Sequence, residues 1–499
     1  MSSPPEGILT GKDWETIDFN RNWTFANGWK PAKSFQKSSP AKRSNWTLWP
    51  KFPSIPAKPD KLRPTAYLDG LRGFAALLVY LHHHNLWVHD EGDTKGAFEN
   101  GFGYDGKYYL GAFPGIRHLF TGGHFAVSTF FVISGYVLAL TPLTHIHSGD
   151  HVKLNDNIAS AFFRRWLRLF MPLIATVTAF IVMLHALGLW VRPAKLQGSL
   201  RDELWLFYVE FKNFSFVFKE GGVPWLTFNR HLWSIPIEFK GSIVVYTSLI
   251  AFSRCTRNAR LWCQIGLIYY FMYIADGWYC ALFVAGMLLC DLDLLAKRGE
   301  LPRFLQRLEP AKDFIYYHLL VFSLLLGGVP SATREVEQMA KSRGWYYMSY
   351  LKPQAVYDYK WFYLFWAAVW LVAAIPRIPW LKRFFETRIC QYLGRTSFGL
   401  YLIHGPVLWT LGDRLYVACG WHTAEHRDNI PHWANKLPLP RRGPFGLEIS
   451  YIVPQIFLIA VTYGLAELVT RGIDTPSVKF ASWFYRRALG APTAGRVKA

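Results

Sequence analysis

Apolar positions in this chain gather into runs too long for the helices of a soluble core. Ten segments approach the ~17–25 residues that a bilayer crossing needs. They lie at about 71–88, 118–140, 167–191, 231–253, 260–274, 276–292, 314–330, 359–376, 390–412 and 446–470. The fifth and sixth are parted only by Ala275-Asp276-Gly277, which predicts either a tight hairpin or one longer broken element. Residues 1–66 break the pattern: Pro, Ser and Lys dominate, no period holds, and the stretch reads as a disordered basic arm. It lacks an apolar h-region, so the first apolar segment is expected to be a retained span. The expected fold class is all-α, a polytopic membrane helix bundle of about ten transmembrane helices over residues 67–475, followed by a basic cytoplasmic tail, 476–499.

Charge gives that bundle a direction. The 499 residues hold 55 Lys+Arg against 34 Asp+Glu, a net charge of +21. On a soluble chain this would suggest nucleic acid. Here 51% of residues are hydrophobic and 22 are Trp, and the basic residues cluster between apolar runs, so no nucleic-acid partner is expected. The arm to Thr65 has 11 Lys/Arg and 5 Asp/Glu. The next loop inverts this, with Asp90, Glu91, Asp93, Glu99 and Asp105 against Lys95 and Lys107. Basic clusters return at Arg164-Arg165-Trp-Leu-Arg168, in loops 254–260, 293–313 and 377–388, and in the tail. Every second loop is basic, so the positive-inside rule predicts cytoplasmic N and C termini and an even number of spans, in the endoplasmic reticulum or plasma membrane. The long loops 192–230, 331–358 and 413–445 then face the other side. One of them carries the sequon Asn213-Phe-Ser, a candidate glycosylation site, whereas those at Asn22 and Asn45 lie in the arm and would stay unmodified. The six cysteines show no zinc spacing and read as small buried hydrophobes; neither a disulfide framework nor a metal site is expected. No internal repeat is visible, which weighs against an inverted-repeat transporter.

Ionisable residues inside a membrane span are costly and mark functional sites by default. The first span reads Tyr67-Leu-Asp-Gly-Leu-Arg72-Gly-Phe-Ala-Ala-Leu-Leu-Val-Tyr-Leu-His82-His83-His84. On a helix, Arg72 and His83 are three turns plus about 20° apart, so they share a face and stand ~16 Å apart along the axis. An anionic ligand could be held at Arg72 and react at His83, since histidine is the usual general base. The competing reading is structural: Asp69 neutralises Arg72 and the histidines line a helix contact. His82 and His84 point about 100° to either side, so the three rings cannot line one pocket, and a metal would need ligands from other spans. Arg165 and Arg168 share a face and could grip a phosphorylated ligand or lipid phosphates. Glu238 and Lys240, inside the fourth span, each need a partner or a wet cavity. Ser397, Tyr401 and His404 form an i, i+4, i+7 polar stripe in the ninth, suited to helix packing or to a site.

Five segments together resemble the integral-membrane acyltransferase-3 family, in fungal-type wording. Arg72 followed by His83 resembles its Arg-x10-His signature. Phe130-Phe131-Val-Ile-Ser134-Gly135-Tyr resembles its second-span motif, and Arg165-x-x-Arg168 with Pro172 its third-span start. Trp233-Ser234-x-x-x-Glu238 resembles its Trp-Ser-Leu-x-x-Glu segment, and Leu393 to His404 its late serine–tyrosine–histidine span. The resemblance covers about residues 67–475. It implies a ten-helix core that transfers acyl groups, often acetyl, from acyl-CoA (acetyl-CoA) as co-substrate to a hydroxyl of a small metabolite, sugar or lipid, with no bound cofactor. It further implies Arg72, Arg165 and Arg168 as donor-binding residues, His83 as base with Glu238 orienting it, and Ser397, Tyr401 and His404 on the acceptor side. No extracytoplasmic catalytic domain is seen beside this core, so transfer within the membrane domain alone is expected. A transporter or lipid flippase using the same buried charges is the alternative, and a non-catalytic membrane scaffold is a third. Nothing in the sequence sets an oligomeric state.

Overall fold

Long apolar runs without interior helix breakers other than proline give helices, and a helix stands at each of the ten expected positions. The computed structural model describes residues 62–89, 96–196, 198–219 and 225–489. The arm up to residue 61, with Asn22 and Asn45, and residues 490–499 lie outside the described residues. The principal helices are α1 (Ala66–His89), α2 (Gly123–Ser148), α3 (His151–Ala186), α4 (Leu200–Phe214), α5 (Ser234–Phe252), α6 (Arg257–Tyr273), α7 (Trp278–Lys297), α8 (Lys312–Leu326), α9 (Lys360–Ala374), α10 (Arg388–Val407), α11 (Ile449–Val469) and α12 (Thr475–Ala488). No strand forms among the described residues beyond an isolated bridge between Val191 and Ala194.

The expectation of about ten crossings is only partly met. Among the described residues, five helical stretches are long and apolar enough to span: α2, α3, Arg230–Phe252, α7, and α11 continued through α12. A sixth counts if α9 and Pro379–Phe385, bent by 100°, form one broken span. The remainder fall short for physical reasons. Helices α6 and α8 have 17 and 15 residues. Helices α1 and α10 are long enough but carry the polar residues that build the site. The 275–277 segment is a hairpin: Asp276 adopts a left-handed φ of 46° and α6 folds back onto α7. Residues 476–488, expected as tail, belong to α12, which packs on α3.

Helix α1 sits between two apolar cores. Leu71 and Leu78 join Phe131, Phe283 and Phe365 on one side, while Ala76 and Tyr80 join Phe170, Leu402 and Leu458 on the other. Its contact with α10 is nearly backbone to backbone. A Cβ on Gly73 would stand 2.1 Å from the Gly394 nitrogen, and one on Gly394 would stand 2.3 Å from the Asp69 carbonyl oxygen. The α2–α7 contact is made the same way through Gly135 and Gly286. Small residues allow such approach where apolar burial gives no extra drive between helices in lipid. The α1–α10 contact fixes the register that brings Arg72 beside Ser397.

Candidate active site

The three consecutive histidines of α1 go to three different places, as a 100° step per residue requires. His82 turns to His124 of α2, their rings 5.2 Å apart. His84 turns outward to Tyr416, with Nδ1 2.7 Å from the phenol oxygen. His83 stacks on His231 at 3.9 Å and faces His404 of α10 at 5.3 Å, and the rings of His231 and His404 lie 4.9 Å apart. The Arg72 face of α1 therefore ends at a three-histidine stack drawn from three elements.

The tautomer of His404 follows from its surroundings. Its Nδ1 lies 2.9 Å from the Tyr401 carbonyl and 3.2 Å from that of Leu400, so Nδ1 carries the proton and donates. Nε2 is left as a lone pair, and it is buried without a hydrogen-bond partner. His231 Nδ1 is likewise unpartnered.

On the Arg72 side of this stack lies a cavity lined by Arg72, Arg165, Arg168, Glu238, Asp474, Ser234, Ser397 and Tyr401. Three arginines against two carboxylates leave its lining net positive. Arg72 Nε donates to Ser397 Oγ (3.2 Å), and its NH2 group reaches Asp69 Oδ1 and the Gly394 carbonyl, each at 3.3 Å. Arg165 forms a salt bridge with Glu238 and donates from Nε to Ser242 Oγ at 2.9 Å. Tyr401 and Ser234 are joined through their hydroxyls at 2.7 Å, and the Tyr401 hydroxyl also donates to the His231 carbonyl. The tyrosine ring packs against His404 at 5.7 Å. The Ser234–Tyr401 pair thus stands between the arginine-lined cavity and the histidine stack.

Two expected roles change. Glu238 does not orient His83: it is the ion-pair partner of Arg165, because the helix register of α5 against α3 presents it there. His231 and His404 stand at His83 instead. Ser397 and Tyr401 line the arginine cavity rather than a separate acceptor side, since Ser397 is held by Arg72; only His404 of that stripe lies deeper. The Asp69–Arg72 ion pair of the structural reading is present alongside the cavity. Asn213 is exposed near the end of α4.

His231 and Asp474 were not singled out by sequence reasoning. His231 immediately precedes the Trp233-Ser234 motif, in a 3-10 turn Arg230–Trp233, and that adjacency was its one signal. Asp474 closes a π-helical turn, Thr470–Asp474, that joins α11 to α12; such turns are frequent at functional sites.

No metal was expected, yet His83, His231 and His404 each offer a ring nitrogen, all within 4.8 Å of one another, and His82 and His124 offer ring nitrogens equally close to a Glu99 carboxylate oxygen. The first set does not suit one ion. The planes of His83 and His231 lie 28° apart, those of His83 and His404 25°, and those of His231 and His404 18°. Ring lone pairs lie in the ring planes, so nearly parallel stacked rings cannot converge on a tetrahedral centre.

Known proteins resemble this chain along most of its length. A family model described as an acyltransferase domain, of the acyltransferase-3 family, matches residues 65–469. O-acetyltransferase PaAT-1 of Phomopsis amygdali is 28% identical over 506 positions, covering 92% of this chain and 94% of that protein. Acyltransferase clz18 of Cochliobolus lunatus is 22% identical, covering 86% and 97%. Peptidoglycan O-acetyltransferase OatA of Listeria monocytogenes is 24% identical over 73% of this chain and 53% of its own length. No solved structure matches. With the family model spanning most of its length, the chain belongs to the acyltransferase-3 family and is a membrane acyltransferase.

Proposed function

We propose that the protein transfers an acyl group, acetyl foremost, from acyl-CoA to a hydroxyl of a small metabolite, sugar or lipid. The observation that carries this reading is the order of groups along α1. A net-positive cavity at Arg72, Arg165 and Arg168 is followed by the Ser234–Tyr401 hydroxyl pair and then by the His83 stack. The cavity holds about 140 Å³, below the ~300 Å³ low end of small-molecule sites. It suits the narrow acyl-pantetheine arm, with the phosphates held at its mouth by Arg165 and Arg168 of α3 and the nucleoside outside.

In this mechanism His83 takes the proton of the acceptor hydroxyl. The oxygen attacks the thioester carbonyl, the carbon–sulfur bond breaks, and the departing CoA thiolate regains the proton. With the Tyr401 hydroxyl donating to the His231 carbonyl, Ser234 donates to Tyr401; turned away from Tyr401, the Ser234 hydroxyl would donate to the thioester oxygen as it gains charge. His231 and His404 keep the His83 ring in place. The basic loops support cytoplasmic termini and a cytoplasmic donor cavity, in the endoplasmic reticulum or plasma membrane. Loop 192–230 would then lie on the opposite side, where a glycan on Asn213 would report it. The transporter or flippase reading loses ground, because the matching family and the relatives are acyltransferases.

Calorimetry with purified protein and acetyl-CoA tests the donor half. Saturable binding that weakens in Arg72→Gln and Arg168→Gln supports it. Absence of binding to the wild-type protein sinks it.

A further inference from the structure

A second cavity opens one helical turn beyond His83, at the end of α1 away from Arg72. It measures about 580 Å³, within the range of small-molecule sites. Both helices that carry the stack lead into it. On α1, Trp87 follows His83 by four residues, on nearly the same face. On the other side α10 runs into a π-helical turn, Leu408–Gly412, whose Trp409 ring packs against His231 at 5.1 Å. The next residue, Asp413, lines the cavity.

The chemistry of the lining is specific. Trp87 and Trp421 line it, each with a guanidinium over its ring that lines the cavity too: Arg192 stands 4.3 Å from the Trp87 ring centroid and Arg441 4.1 Å from that of Trp421. Against these two arginines stand two carboxylates, Asp413 and Glu448, so formal charge balances among the described lining residues, unlike that of the donor cavity. Asp413 is 1% exposed. Its Oδ1 accepts from Trp87 Nε1 at 2.9 Å and lies 3.1 Å from His426 Nε2, while Oδ2 is buried with no partner. The indole N–H of Trp421 is buried and unpartnered as well. A buried carboxylate oxygen and a buried N–H left open are costly. A hydroxyl satisfies the first by donating and the second by accepting. Aromatic side chains meanwhile suit the C–H faces of a saturated ring.

Resting on the acyl-transfer reading above, we infer that this cavity is the acceptor site and takes a neutral, polyhydroxylated ring compound, a glycoside or cyclitol, held by Asp413 and Trp421. Donor and acceptor then reach the His83 stack from opposite ends of α1. Charge balance disfavours phosphorylated or carboxylated acceptors, and the paired polar groups disfavour a plain alkyl chain.

Photolabelling of the purified full-length protein with p-azidophenyl β-D-glucopyranoside, with the sites mapped by peptide mass spectrometry, tests this. Label should fall on peptides bearing Trp87, residues 413–426 or 441–448. Phenyl β-D-glucopyranoside should compete and phenyl phosphate should not. Asp413→Asn, which keeps the side-chain volume and removes the charge, should reduce labelling about tenfold or more, and Trp421→Phe, which removes the N–H together with part of the ring, severalfold. Label outside these peptides, equal competition by phenyl phosphate, or labelling indifferent to both variants overturns the assignment. Acetyl-CoA calorimetry on the same preparations separates the two readings. Intact donor binding without cavity labelling sinks the acceptor site alone, and cavity labelling without donor binding sinks acyl transfer from CoA alone.

Discussion

The Arg165–Glu238 pair should behave as a buried ion pair whose halves cannot be removed separately. Only 8% of the Arg165 side chain and 17% of that of Glu238 are exposed. Arg165 also holds Ser242 Oγ, which donates to the Glu238 carbonyl at 2.6 Å. Arg165→Ala strands a carboxylate and Glu238→Gln strands a guanidinium, and either loss should destabilise by ~3–5 kcal/mol. At 1.4 kcal/mol per factor of ten, this is a shift of roughly 10²–10³ in the unfolding equilibrium or more. The double variant Arg165→Met/Glu238→Gln removes both charges and should recover most of that loss, since a neutral pair of similar volume is often no worse than the ions. Donor affinity should not recover, because Met cannot hold a phosphate. The assay is chemical unfolding of the detergent-purified protein with acetyl-CoA calorimetry alongside. If the double variant is as unstable as Arg165→Ala, or if both single variants stay near wild type, the pair does not couple as described. If the double variant binds acetyl-CoA normally, Arg165 is structural only.

Two further outcomes follow from the packing. Gly73→Ala places a Cβ 2.1 Å from the Gly394 nitrogen; it should cost ~1–3 kcal/mol of stability by overpacking and weaken acetyl-CoA binding by moving Arg72 off Ser397, and an unchanged affinity would separate this contact from the donor site. At the mouth of the second cavity, burial pushes the Glu448 carboxyl up, but hydrogen bonds from His89 and the Gly446 amide, with the His89 charge, hold it below the usual carboxylate range. A depressed carboxylate stabilises the fold above its unfolded pKa of ~4.3 and loses that contribution as pH falls through the folded value. Wild type should therefore exceed Glu448→Gln in melting temperature near neutrality, with the gap closing below about pH 4; a gap independent of pH would contradict this.

The helical class and the face of α1 that Arg72 and His83 share were legible in the sequence. Arg72 and His83 share a face because eleven residues nearly complete three turns, and the divergence of His82 and His84 follows from the same arithmetic. The pairing of Glu238 with Arg165 was not legible, since periodicity reveals the face of a residue on its own helix and not the register of a neighbour. His231 escaped because it lies in a 3-10 turn, outside any periodic pattern. The number of crossings was blurred for a related reason: α1 and α10 give up hydropathy to the polar groups of the candidate site, so neither passes as a span by length and apolarity.

The most direct test of the central claim is turnover in the three histidine variants. Purified wild type, His82→Ala, His83→Ala and His84→Ala, matched for folded protein, would be assayed for transfer of labelled acetyl from acetyl-CoA to an accepted hydroxyl compound, with donor affinity measured in parallel. His83→Ala should lose ~10²–10⁴-fold in turnover while binding acetyl-CoA as wild type does, and the other two should lose far less. Near-normal turnover in His83→Ala, with His82 or His84 proving essential, would contradict the placement of the base at the His83–His231–His404 stack.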